Sequence, residues 1–316
     1  MTRDEILDRI SRLLLSRYDW DGAEANLSRA IEFHITHQYR EREAVARANI
    51  GYALENQDKF EQAAEQYQKS ATLFTELNNP SQVRTVQRQQ IKALALSGKE
   101  AEARQSLQSL YGKEPLAAGK LCLELGWSEM AEGYFQSVLE TTQEPAERAR
   151  LLNQLGMLAA RRTELQEARE FFVKSLDLAR QTGSDELAAS VLNNLGENHQ
   201  SQGLYRQAAP YYQQALEQFQ KVGSLSGRAY ALSNLGTLAF AQGDFEEALA
   251  EYRLAVRQGA DDPNTTARVA HTYAVMGRVD DAGGYYAEAA AKEPDLTDQA
   301  VSDMMRLARD ADARGD

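Results

Sequence analysis

The sequence predicts an all-α chain, a stack of about eight short helix–turn–helix units that share a continuous core. Three observations predict it. Alanine recurs at one point of a repeated pattern, as Ala23, Ala63, Ala103, Ala131, Ala168, Ala208, Ala248 and Ala282, at intervals of 40, 40, 28, 37, 40, 40 and 34 residues. Small and aromatic residues stand around these alanines in matched register. No run of β-branched residues alternates with period two, the mark of a half-buried strand. A unit of this size cannot bury its own apolar face, so each must lie against the next.

The units follow in order. The first is centred on Ala23, and in the second Asn49-Ile50-Gly51 leads to Phe60, Ala63, Tyr67 and Ser70. The third carries Gly98 ahead of Ala103. The fourth has Gly119, Gly126, Ala131 and Phe135, and its first helix, from about Leu116 to Leu125 behind Pro115, is short by more than a turn. In the fifth, Gln154-Leu155-Gly156 leads to Leu165, Ala168, Phe172 and Ser175. The sixth reads Asn194-Leu195-Gly196, Gly203-Leu204-Tyr205, Ala208, Tyr212 and Ala215. The seventh reads Asn234-Leu235-Gly236, Gly243-Asp244-Phe245, Ala248, Tyr252 and Ala255. The eighth has Gly277, Ala282 and Tyr286. After Pro294 one more amphipathic helix is expected, about Asp298 to Ala311, with Val301, Met304, Met305, Leu307 and Ala308 as its apolar stripe. It either caps the last unit or serves as a dimerisation or partner helix.

Each residue type has a physical reason. Glycine on the first helix and alanine on the second let the two approach, where a bulkier side chain would cost about 1–3 kcal/mol. Glycines 98, 126, 203, 243 and 277 fall between helices, where a left-handed residue ends a helix. The aromatics Tyr67, Phe135, Phe172, Tyr212, Tyr252 and Tyr286 are expected to fill the gap between successive units. Prolines 80, 115, 145, 263 and 294 lie at unit boundaries, while Pro210 falls early in a second helix. Acid pairs such as Glu246-Glu247 and Asp280-Asp281 open second helices and complement the helix dipole.

With these residues in register, the chain resembles the tetratricopeptide repeat, a helix–turn–helix unit of about 34 residues. The resemblance runs from residue 4 to about 295. It implies a right-handed α-solenoid whose first helices line a concave, protein-binding surface. The longer units with an Asn-Leu-Gly element are similar to those of kinesin light chains, Leu-Gly-Asn-repeat proteins and bacterial Rap-type regulators. The 28-residue interval is either a bend or a tight packing variant. The expected organisation is residues 1–114 for three units, 115–295 for five, and 296–316 for the cap and tail.

Composition narrows the function. The net charge is −12, with −1 on residues 1–114 and −11 on residues 115–316. Such a chain is a poor ligand for nucleic acid or an anionic membrane. No apolar stretch is long enough to span a bilayer, and the acidic N-terminus is unlike a secretory signal. One cysteine, Cys122, excludes an internal disulfide and points to the cytoplasm.

Helical spacing then assigns groove positions. Asn153, Gln154, Asn193, Asn194 and Asn234 form an amide ladder, which either satisfies the backbone of a bound peptide or ties adjacent helices. Arg88, Lys92, Lys120, Arg150 and Arg161 make the centre basic, with Glu124 the only acid placed among them. They either attract an acidic segment or pair with neighbouring acids. Asn49, Tyr52, Glu197, Arg268 and His271 complete the face, and Met157, Tyr230 and Phe240 offer apolar anchors. The carboxylate clamp of chaperone-binding relatives does not fit, because Lys92 replaces its asparagine and Ala117 stands where the next should be.

No catalytic pattern is present. Gly223-Ser224-Leu225-Ser226-Gly227 lacks the register of a nucleophile turn. His34 and His37 lie on one helix without a third metal ligand, and His199 stands beside no nucleophile. Cys122, flanked by leucines, reads as core. The expectation is a non-enzymatic adaptor without cofactor or metal, holding a partner's peptide in its groove. The alternative is a peptide-responsive regulator of the Rap type. Homodimerisation through the terminal units is open.

Overall fold

The computed structural model describes residues 3–259, 262–293 and 302. Among the described residues there are sixteen α-helices and no strand. They are α1 (Arg3–Ser16), α2 (Trp20–Thr36), α3 (Arg40–Glu55), α4 (Phe60–Glu76), α5 (Pro80–Leu96), α6 (Glu100–Tyr111), α7 (Pro115–Glu124) and α8 (Ser128–Thr141). There follow α9 (Pro145–Arg161), α10 (Leu165–Gln181), α11 (Asp185–Ser201), α12 (Tyr205–Val222), α13 (Leu225–Gln242), α14 (Phe245–Arg257), α15 (Pro263–Val275) and α16 (Val279–Lys292). In chain order they fall two to each of the eight expected units. The tail helix expected from Asp298 to Ala311 lies outside the described residues.

Local chemistry sets the helix ends. Prolines 80, 115, 145 and 263 open α5, α7, α9 and α15, where their missing N–H costs nothing. Asp19, Asn79 and Asp262 cap their helices by accepting from the backbone N–H of Gly22, Gln82 and Thr265. Most turns share one form, in which a left-handed residue is followed by an N–H that reaches back to the carbonyl five residues earlier. Leu204 N–H meets His199 O at 2.9 Å behind Gly203, whose φ is 72°. The turn is not confined to glycine, because Tyr18, Gln38, Asp58, Asn78 and Thr163 adopt the same positive φ.

The chain divides into two compact halves, Met1–Tyr134 and Phe135–Asp316, with the boundary inside α8. In the first, consecutive helices from α1 to α7 pack on one another, and in the second the same holds from α9 to α16. In the C-terminal half α9 also touches α11, and α11 touches α13, so first helices stand side by side.

The core follows the repeat. Tyr212 clusters with Leu235 and Leu238 of the following unit, and Tyr252 with Val269, Ala270 and Tyr273, as expected of rings between successive units. Four of the rings also lie on the glycine of their own unit. A Cβ on Gly51, Gly156, Gly196 or Gly236 would fall 2.6, 2.6, 2.5 or 2.7 Å from Tyr67, Phe172, Tyr212 or Tyr252. The tyrosine hydroxyls then return to their own first helix, Tyr67 donating to Glu55 at 2.8 Å and Tyr212 to Gln200 at 2.9 Å. Ser70 and Ser175 donate to the carbonyls of Ala44 and Ala149, both at 2.7 Å. All eight repeat alanines are fully buried. Pro210 lies deeper in α12 than expected, five residues past its start, so one backbone hydrogen bond of that helix has no donor.

Candidate functional site

The repeat register builds a polar seam across α9, α11 and α13. Asn194 on α11 donates to Asn153 Oδ1 on α9 at 2.9 Å. One unit on, Asn234 on α13 donates to Asn193 Oδ1 at 3.2 Å. Asn153, Asn193 and Asn234 are buried, while Gln154 and Asn194 are half-buried. Of the two roles the sequence left open, these bonds serve helix-to-helix ties, as buried amides must find partners.

Glu197 is the hub of the seam. Its Oε1 accepts from Tyr230 at 2.6 Å, Asn234 at 2.9 Å and Asn193 at 3.1 Å. Tyr230 is 53% exposed, yet its hydroxyl is held fast. Desolvation at that end and the charge of Glu197 both raise its pKa. Further along, Arg268 of α15 reaches over α13 and donates to Ser233 at 3.0 Å and Thr237 at 3.1 Å. Ser233 meets Thr265, which donates to the Asp262 cap at 2.6 Å. Phe240 packs between Phe245 and His271, with ring centroids 5.2 and 5.3 Å away. Met157, near Asn153, is half-buried.

Arg150 and Arg161 are exposed and, like Arg268, form no ion pair among the described residues. Within the C-terminal half, three predicted cations thus stand against the single predicted carboxylate, Glu197.

The N-terminal half holds the other predicted residues. Arg88 and Lys92 share Glu124, Lys92 at 2.7 Å, so the acid the sequence placed among these cations pairs with two of them. Lys120 is exposed. Asn49 lines a 400 Å³ pocket with Asp8, Ser11 and Arg42. Tyr52 is exposed, edge-on to Trp20 at 5.8 Å. Residues the sequence reading missed include Arg84, Glu114, Ser233 and Asp262. Arg84 had a readable signal, one helical turn before Arg88.

The remaining chemistry-bearing residues are placed as follows. His34 is fully buried, its Nε2 3.5 Å from Asp8, and His37 stacks on Phe33 at 4.0 Å. His199 Nδ1 bonds the Leu195 carbonyl at 2.9 Å. Cys122 is buried, which pushes its thiol up to about 11. Among the described residues, no group of three His, Cys, Asp or Glu could hold a metal ion, and no helix is long and apolar enough to cross a membrane.

Comparison with known proteins agrees with this architecture. Models of the tetratricopeptide repeat match residues 44–74, 147–221 and 187–258. No curated protein matches the chain. Among solved structures, BtubC (BKLC) from P. vanneervenii is 20% identical, with a TM-score of 0.50 over 68% of this chain and 89% of that one. A Rap protein complexed with competence and sporulation factor is 14% identical, with a TM-score of 0.56 over 87% of this chain and 88% of that one. At these identities the likeness is one of fold. Residues 44–74 and 147–258 are tetratricopeptide repeats.

Proposed function

We propose that the chain is a non-enzymatic scaffold that holds a peptide segment of a partner protein against the first-helix face of α9, α11, α13 and α15. The observation that carries the reading is Tyr230, 53% exposed but bound to Glu197 at 2.6 Å. A rigid aromatic kept outside the core is what a binding hot spot uses, because little side-chain freedom remains to be lost. Arg150, Arg161 and Arg268 favour a partner segment rich in acidic residues. The reading involves no cofactor or metal and sets the protein in the cytoplasm.

Selection from a displayed peptide library should enrich acidic peptides on the wild-type chain. Tyr230→Ala and Arg268→Ala should each weaken their capture by about tenfold, with circular dichroism confirming that both variants remain folded. Capture indifferent to both changes overturns the reading. A second reading, a peptide-responsive regulator, draws support from the Rap neighbour and its bound factor. Small-angle scattering with and without a captured peptide separates the two, and an unchanged profile sinks the regulator.

A further inference from the structure

The short fourth unit creates something the longer units lack. α7 has 10 residues, against 17 in α5, and at a rise of 1.5 Å per residue it is shorter by roughly 10 Å. Both of its ends are drawn to one stretch of α5. Glu114, its N-cap, takes both guanidinium nitrogens of Arg84, and Glu124, its last residue, bridges Arg88 and Lys92. The three cations lie on successive turns of one helix face, where like charges repel. Two carboxylates clasp these three cations, and the half-buried Glu55 of α3 lies within electrostatic reach of Lys92.

Beside this clasp an open pocket of 310 Å³ is lined by Arg84, Thr85, Arg88, Gln89, Lys92 and Tyr111. The Arg84 guanidinium lies over the Tyr111 ring at 5.0 Å, which holds it at the pocket wall. No carboxylate lines the pocket itself. Lys92 and Arg88 keep the Glu124 carboxyl below its ordinary pKa, so it remains ionised throughout the neutral range. The clasp therefore already shows how these two cations take an anion between them.

We infer that this pocket is a site for a phosphate monoester dianion, with Glu124 as the internal group that the incoming anion displaces. A carboxylate ligand in place of Glu124 would exchange one negative charge for another and gain nothing. A phosphate brings close to two charges and three acceptor oxygens, and arginine forks match that geometry. The phosphate could be carried by a phosphorylated side chain or be free in solution. All the residues lie in Met1–Tyr134, so the site is independent of the α9–α15 face and its fate does not decide that reading.

The test is calorimetric titration with inorganic phosphate at constant ionic strength, with chloride as control. Saturable binding is expected in the wild type. It should tighten severalfold in Glu124→Gln, where the internal competitor is gone, and weaken about tenfold or more in Arg88→Gln and Lys92→Gln. Circular dichroism confirms which variants remain folded. A phosphoserine peptide that binds tighter than inorganic phosphate, with its glutamate counterpart silent, assigns the site to a modified side chain. Equal affinity for peptide and inorganic phosphate assigns it to the free anion. Absence of saturable phosphate binding in both wild type and Glu124→Gln overturns the inference, as does binding that survives in folded Arg88→Gln and Lys92→Gln.

Discussion

At Gly196 an added methyl would sit 2.5 Å from the Tyr212 ring, one of the largest fully buried side chains. The ring is packed on all sides and cannot yield without moving α12 against α11. Gly196→Ala should therefore cost about 1–3 kcal/mol, despite the better helix propensity of alanine. Gly283 supplies the contrast, because nothing lies within 4 Å of the Cβ it would gain. Gly283→Ala should stabilise by about 0.5–1 kcal/mol. Denaturant titrations read both, and equal effects would refute this account of the glycine–aromatic contact. The close approach at glycine was legible in the sequence because steric demand fixes a small residue there, but the ring of the same unit that fills it was not, since the register alone does not say which neighbour the aromatic meets. The left-handed turns were only half legible. Glycine announces them at 98, 203 and 243, but Thr163 has a φ of 62° in spite of a branched Cβ. There the fold imposes the conformation, through bonds such as Glu164 N–H to Ala159 O at 3.0 Å, and nothing in a threonine signals it.

Among elements, α7 is held by charge at both ends. The Glu124 carboxyl lies below its ordinary value of 4.5, chiefly through Lys92 and then Arg88. A depressed folded value means that its contribution to stability is fully present above the unfolded value, about 4.3, and is lost as pH falls through the lower folded one. The melting-temperature difference between wild type and Glu124→Gln should hold steady from about pH 8 to pH 5 and close as the pH falls below about 4. A difference unchanged at acid pH would count against the clasp. The sequence showed that this helix is short and that Glu124 sits among cations. It did not show the pairing, since long side chains on separate helices choose partners only once packing sets their distance. The amides behave similarly. Their 40-residue spacing marks positions on a shared face, but an amide suits a peptide backbone or a neighbouring helix equally well. Only the assembled pair Asn194–Asn153 settles which partner is in reach.

At the scale of the whole molecule, the array is a row of nearest-neighbour contacts, and each half has its own core. Stability in such a row is local, and damage spreads only as far as the adjoining units. Gly196→Ala should thus lower hydrogen-exchange protection in α11 and α12 and leave α3 and α4 at wild-type levels, as measured by exchange with mass detection. Uniform loss along the chain would show instead that it folds as one cooperative body.

The amide seam also bears on how such a chain can change in length. Asn194 reaches Asn153 and Asn234 reaches Asn193, each tie spanning 41 residues where the alanine interval is 40. The one-residue offset carries the tie from one helix to the next. Duplicating a whole 40-residue stretch would extend the seam by a further rung with no redesign, whereas gaining or losing a single residue within it would break the rung that spans the change. The seam therefore makes this part of the gene tolerant of copying and intolerant of small insertions. The 28-residue interval lies outside it, where the chain was free to shorten.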